Sequence, residues 1–324
     1  MRLFVLAASI VLAQDLRPPK ILKQVAPEIT NQALAYGIRG TVVIGMTIGI
    51  DGVPHTVNVV RPIGFGLDES AMAAIKQWKF SPATVGGKPV EAATTGEVNF
   101  QSGKPNHLGE KRRLEYNEAV AGLSSQDAGR VSESVKKIRS LAGSGYPPAI
   151  FMDGVWKMDG KHGPADLTEG LKQIETAASR GHGQALGLLG VWKYEGRFVK
   201  KDIKQGLQFM EEGAIFGSSL AQNFLGQRYA AGTELPKNIE RAKQMFRLCA
   251  ARNDALCQFR LAGLILESSP LSENQKVEAV AWLRVAAANN SSDAAEVLKN
   301  MEASLTPEQR LNAATLQKQL SPAR

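Results

Sequence analysis

The chain has 324 residues, of which 44% are hydrophobic and 22% charged, an ordinary composition for a water-soluble globular protein long enough for about two domains. Its formal charge of +8 is spread thin: residues 20–101 hold seven Lys or Arg against six Asp or Glu, and residues 102–324 hold thirty against twenty-four. The densest basic cluster, Lys111-Arg112-Arg113, sits between Glu110 and Glu115, so the charge reads as a solvated face and not as a nucleic-acid surface.

In chain order, Met1-Arg2 precedes eleven apolar or small residues, Leu3 to Ala13, and then polar Gln14 and Asp15. That pattern predicts a secretory signal at 1–13 with cleavage after Ala13. Eleven helical residues rise only about 16 Å against roughly 30 Å of hydrocarbon, so a membrane span is not expected there or elsewhere in the mature chain. Leu16 to Ala26, with Pro18-Pro19, is expected to be extended, and Pro27 opens a short predicted helix over 28–36 that stops at Gly37. From Thr41 to Ile50 the even positions Val42, Ile44, Met46, Ile48 and Ile50 are apolar, which is the period of a strand. Asp51-Gly52 follows as an expected type I′ turn, and residues 56–61 return as the second strand. Leu67, Ala71, Ile75 and Trp78 share one helical face, with Asp68 and Glu69 at the positive end of the helix dipole. Gly86-Gly87 makes another turn, and Val90 to Gln101 reads as the third strand. The expected fold is a two-layer α+β module, an antiparallel sheet with two helices.

At these residues the segment resembles the C-terminal domain of the TonB family. The resemblance rests on Gly40, Asp51-Gly52, Gly64-Phe65-Gly66-Leu67-Asp68, Trp78-Lys79-Phe80-Ser81-Pro82-Ala83, Gly87-Lys88-Pro89-Val90 and Phe100. Val25-Ala26-Pro27 departs from it, standing where many members carry Tyr-Pro. The resemblance implies a periplasmic module over 14–101 that binds extended segments of envelope proteins, outer-membrane receptors among them, by adding a strand to a sheet edge. By the family's example the receiving edge comprises Val90, Ala92, Thr94, Gly96, Val98 and Phe100. About five hydrogen bonds at ~1 kcal/mol each imply weak binding unless other contacts add to it. Neither the membrane-spanning helix nor the long Pro-rich spacer of members that transmit work is expected here, so the motor function is not carried over.

Residues 102–130 read as a linker followed by a helix over 114–123. From about residue 131 a 36-residue period sets in. Ala149, Ala185, Ala221 and Cys257 fall 36 apart with Ala294 following at 37, and Ala142, Ala178, Ala214, Ala250 and Ala287 repeat the spacing. Each unit has two apolar helical segments, as at 206–214 and 219–229, joined by a short Gly-bearing turn, so an all-α solenoid of helical hairpins is expected over 131–303. These columns, together with Leu189-Gly190-Val191-Trp192-Lys193-Tyr194, resemble SEL-like repeats, relatives of tetratricopeptide repeats, which implies a scaffold for protein contacts. Trp156 and Trp192 are read as packing residues. Thr306-Pro307-Glu308-Gln309 is a capping-box pattern opening a last helix that closes the stack over 304–324.

Cys249 and Cys257 occupy small-residue columns on two helices of one unit. A disulfide is geometrically allowed and an exported setting permits it, the alternative being two buried free thiols. The histidines His55, His107, His162 and His182 have no metal-type spacing and read as solvated loop positions. Ser134-Val135-Lys136-Lys137 matches Ser-x-x-Lys only formally. No catalytic set, metal or cofactor is expected. The favoured function is a non-enzymatic periplasmic adaptor, and the alternative is an envelope hydrolase of the SEL-like class.

Overall fold

The computed structural model describes residues 4–5, 16–30, 33–34, 38–100 and 107–321. The N-terminal module contains β1 (Phe4–Val5), β2 (Leu16–Arg17), β3 (Lys20–Lys23), β4 (Gly40–Ile48), β5 (Pro54–Arg61), helix α1 (Leu67–Ile75), β6 (Lys79–Ser81), β7 (Ala83–Val85), β8 (Lys88–Val90) and β9 (Ala92–Phe100). Its main sheet is antiparallel in the order β1-β9-β4-β5, with β2-β7-β8 and β3-β6 as two smaller pairings. Alternation decides which face is buried: Val42, Ile44, Met46 and Ile48 of β4 and Val98 and Phe100 of β9 point to one side, where Leu67, Ala71, Ile75 and Trp78 cover them. The polar tip of Trp78 donates its Nε1–H to the Val25 carbonyl at 2.8 Å, pinning the segment that leads into the sheet.

Two local expectations are corrected. The β4–β5 connection is not a two-residue type I′ turn: Gly49 N–H donates to Val53, Gly52 N–H donates to Gly49, and of Asp51 and Gly52 only Gly52 has positive φ. Asp51 instead accepts from the Val53 N–H at 2.9 Å, a local bond that competes with the I′ geometry and holds its carboxyl below the ordinary range. The early helix does not begin at Glu28 either. Thr30 Oγ1 accepts from the Ala33 N–H at 3.1 Å, the position of an N-cap, and Ala33–Leu34 is the helical part described. The remainder of that predicted helix, most of 1–13 and residues 102–106 lie outside the described residues.

The second part is all helix: α2 (His107–Gly122), α3 (Ala128–Gly143), α4 (Pro147–Asp159), α5 (Leu167–Ser179), α6 (Gly183–Glu195), α7 (Ile203–Ile215), α8 (Ser219–Ala231), α9 (Ile239–Ala250), α10 (Ala255–Leu266), α11 (Glu273–Ala288), α12 (Ser292–Ala303) and α13 (Pro307–Leu320). The capping chemistry recurs with the period. Asp166, Asp202 and Asn238 cap α5, α7 and α9, each side-chain oxygen accepting a backbone N–H, while Gly160, Gly196 and Gly232 end α4, α6 and α8 at φ 69°, 77° and 73°. The column Ala149, Ala185, Ala221, Cys257, Ala294 is wholly buried. α13 opens with a full capping box at Thr306 and Gln309 and packs on α11.

The tightest helix pairs are α4 with α5, α6 with α7, α8 with α9 and α10 with α11, so the intimate hairpin spans the longer connections and not the short Gly-bearing turns. Missing side chains are the cause. A Cβ on Gly206 would lie 2.8 Å from the Gly190 carbonyl oxygen, and one on Gly170 2.9 Å from that of Gly154, one period earlier. Cys249 and Cys257 are joined as a disulfide across the α9–α10 turn, their Cα atoms 5.8 Å apart.

Gly206→Ala should therefore destabilise the fold by about 1–3 kcal/mol through overpacking. Gly263→Ala, in a helix position with nothing within 4 Å of the added carbon, should stabilise it by about 0.5–1 kcal/mol. Denaturant midpoints of the two variants check both signs. His182 is the N-cap of α6, its Nδ1 accepting from the Ala185 N–H at 3.4 Å and its ring 4.7 Å from that of Phe151, so it is not a solvated loop residue. Burial pushes its imidazole down to about 4 from 6.5. The unfolded chain binds the extra proton first, so this group's contribution is fully present above pH 6.5 and is lost as pH falls toward 4. His182→Ser, the cap used at Ser218 and Ser291, should remove that part of the pH dependence of melting while keeping the helix start.

Candidate functional site

A sheet edge and the way the module sits on the repeats define the site. β9 pairs along its whole length with β4, from Gly40↔Phe100 to Ile48↔Ala92. On its other side, among the described residues, it pairs with β1, antiparallel, at Phe4↔Thr95 and Val5↔Thr94. The edge thus accepts an extended strand, supplied here by the chain's own amino end. Thr94, Gly96, Val98 and Phe100 face the core, so their contribution at the edge is backbone alone. Ala92 is half-buried, and Val90 lies one strand earlier, in β8 opposite Ala83. The side chains beside an added strand on the opposite face are Ala93, Thr95, Glu97 and Asn99, which the strand period could have supplied.

The opposite edge strand, β5, packs against α9. The docking centres on Asp68, 2% exposed at the start of α1. Its carboxylate accepts from the N–H groups of Ile63 at 2.7 Å and Gly64 at 2.9 Å, and it lies 3.5 Å from Arg252 Nη2 in the turn after α9. Burial raises the Asp68 pKa, opposed by Arg252 and the two backbone donors. Around this pair Gly64 closes on Gly217, where an added Cβ would sit 3.3 Å from the facing Cα, and Gly66 N–H donates to the Ile215 carbonyl. Gln244 and Met72 also touch, and Met210, Ala214, Met245 and Leu248 share one apolar cluster with the sheet. Glu69, beside Asp68, has a buried Oε2 without a hydrogen-bond partner, and burial pushes its carboxyl up to about 7.

The other sequence candidates fall elsewhere. Ser134 is buried against Gly122 and Lys137 pairs with Glu115 at 3.4 Å, so the Ser-x-x-Lys residues serve helix packing. His162 stacks on Trp156, and His55 lies 3.7 Å from Asp51 in the hairpin. Among the described residues no helix is long and apolar enough to cross a membrane, and no group of three His, Cys, Asp or Glu is placed to hold a metal.

Comparison with known proteins agrees with this geometry in both parts. The Gram-negative bacterial TonB protein C-terminal family matches residues 27–102, and the Sel1 repeat family matches 183–215, 219–254 and 255–291, units that begin with α6, α8 and α10 and so coincide with the tight pairs. The chain therefore joins a TonB C-terminal domain to Sel1 repeats, both of them non-catalytic interaction modules. It is similar to Protein TonB of Vibrio cholerae, 37% identical over 75 residues, which is 23% of this chain and 31% of that protein. The chain thus matches less than a third of the length of that relative. Among solved structures it is similar to a Sel1 repeat protein from Oxalobacter formigenes (22% identity, 67% of this chain and 89% of that one, TM-score 0.49). It is also similar to an SLR-fold protective antigen of uropathogenic Escherichia coli strains (21% identity, 66% and 45%, TM-score 0.48).

Removing Arg252 leaves the Asp68 carboxylate buried without its cation, so Arg252→Ala should cost about 3–5 kcal/mol. The loss should appear as a module transition that separates from that of the repeats in calorimetry. A single cooperative transition at the wild-type temperature would refute the assignment.

Proposed function

We propose that the protein is a periplasmic adaptor of the Gram-negative envelope. Its module takes an extended segment of an envelope protein as an added strand on β9, and its repeats hold a second protein. The observation that carries this is the antiparallel seating of Phe4–Val5 on Thr94 and Thr95. That segment falls within the expected secretory signal, whose removal would leave the backbone donors and acceptors of β9 to a partner in trans. The cover that α9 places against β5 favours β9 over the second edge. The similarity to Protein TonB supports an extended envelope-protein segment as the ligand. A link to TonB-dependent transport rests on that similarity alone.

The experiment places a photo-cross-linking residue at Ala93 or Asn99, both exposed on β9, and at Leu311, 66% exposed on α13, as the remote control. Cross-linked peptides from envelope extracts should come from extended segments of outer-membrane proteins at the β9 positions and not at Leu311. Amide exchange over 92–100 should slow when such a segment is added. Cross-links confined to the helical repeats, with unchanged exchange in β9, would overturn the strand-addition reading.

A further inference from the structure

Residues 16–23 and 79–85 run antiparallel as one ribbon. Leu16 and Arg17 of β2 face Val85 and Thr84 of β7, and Lys20 and Ile21 of β3 face Ser81 and Phe80 of β6, in a single register interrupted at Pro18-Pro19 and Pro82. Lys88 of β8 lies opposite Val85. Ile21 and Phe80 turn into the core, so the period of two puts Leu16, Lys20, Lys79, Ser81 and Val85 on the outer side. Past Ile21 the register shifts: Leu22 stands out at 70% exposure, and Lys23 comes opposite Lys79.

Charge and apolar surface are concentrated here together. Of the seven Lys or Arg in residues 20–101, four fall in this ribbon and its third strand (Lys20, Lys23, Lys79 and Lys88), with none of the six Asp or Glu. All four are exposed, as is Arg17, and none is in an ion pair. Lys23 opposite Lys79 sets two like charges across one ladder position, an arrangement that costs stability. Among these cations Leu16 and Val85 are 41% and 43% exposed. Ile50, 67% exposed, stands at the adjoining β4–β5 turn, where the Gly52 carbonyl accepts from the Phe80 N–H. The carboxylate of that turn, Asp51, is engaged by the Val53 N–H and lies 3.7 Å from His55. Lysines on an edge strand discourage pairing with other chains, but that role gives no reason for large apolar side chains exposed between them.

Cations alone fit any polyanion. Apolar side chains standing among them fit a surface that is charged outside and apolar a few ångströms below, which describes a bilayer containing anionic lipid. The ribbon also leaves α1 at its C-terminal end, about 13 Å of helix from the Asp68 contact at its start, so a membrane can meet it while the module stays docked on the repeats. We propose that this ribbon is a membrane-contact surface, its lysines engaging the phosphate headgroups of an anionic bilayer while Leu16, Leu22 and Val85 enter the headgroup boundary. The inference goes beyond the adaptor reading and uses neither β9 nor the repeats.

The test is co-sedimentation of the mature protein, Gln14 to Arg324, with vesicles of phosphatidylcholine alone and of phosphatidylcholine with about one third phosphatidylglycerol. Binding should require the anionic lipid and fall as salt is raised several-fold. Lys23→Gln combined with Lys79→Gln should weaken it about 20-fold, at an unchanged or higher melting temperature because the like-charge contact is gone. Leu22→Ser should weaken it about five-fold without changing the melting temperature. A polarity-sensitive dye on Leu22→Cys should shift to the blue on anionic vesicles, and one on Leu311→Cys should not, both native cysteines being held in the disulfide. Equal binding to the two kinds of vesicle, no binding at millimolar lipid, or anionic binding that Leu22→Ser leaves untouched would overturn the proposal, the last outcome marking a general polyanion site. Strand addition is read from cross-links on β9, so the two proposals fail separately.

Discussion

The buried Asp68–Arg252 pair is the interaction on which the arrangement of the two modules depends. A carboxylate at 2% exposure is costly to desolvate, and it is retained because two backbone N–H groups and one guanidinium converge on it. Each partner fixes a different level of structure. The bonds to Ile63 and Gly64 shape the tight loop before α1, and Arg252 seats that loop on the turn after α9. The backbone approach of Gly64 to Gly217 is open only because neither residue carries a Cβ. Seating the loop brings β5 against α9, so one ion pair decides which edge of the sheet the repeats cover.

The repeats supply the other half of that constraint. Successive units must present equivalent turns at a fixed spacing if a single loop is to meet Gly217, Ile215 and Arg252 together. That spacing is set by the glycine contacts at Gly154–Gly170 and Gly190–Gly206 and by the buried alanine column. The Cys249–Cys257 disulfide closes the turn that carries Arg252, tying the arginine's backbone to both α9 and α10. Packing of small residues, capping chemistry and the placement of one charged side chain are therefore a single problem in this chain.

Much of this was legible in the sequence because it is local or periodic. The β4 alternation and the capping box at Thr306 follow from backbone geometry a few residues long, and the 36-residue columns from the recurrence of one unit. What was not legible is non-local. Thr30 begins its helix later than Pro27 suggests because its hydroxyl also donates to the Phe65 carbonyl, 35 residues away. The tight pairing of α6 with α7 depends on two glycines facing each other across a connection, and the repeat spacing alone does not say which neighbouring helices make the closer pair. Likewise the sequence placed a strand here but could not reveal that Thr94, Gly96, Val98 and Phe100 face the core, or that Phe4–Val5 lies along the other side of β9. Asp153 stands in the column of Leu189, Leu225 and Leu261, but its three donors, and hence its burial as a carboxylate, required the fold.

The Asp68–Arg252 contact is tethered, and that bears on how the surfaces of the protein can work together. Asp68 reaches Arg252 from within the same chain, at the high effective concentration that a covalent connection provides, so that seat stays filled against free ligands of modest affinity. A protein held by the repeats then need not disturb the Asp68 latch, and the orientation of β9 is preserved when both surfaces are in use. Two weak contacts made by one partner, a strand on β9 and a second segment on the repeats, would reinforce each other through the rigid body between them, provided the partner's linker can span the distance.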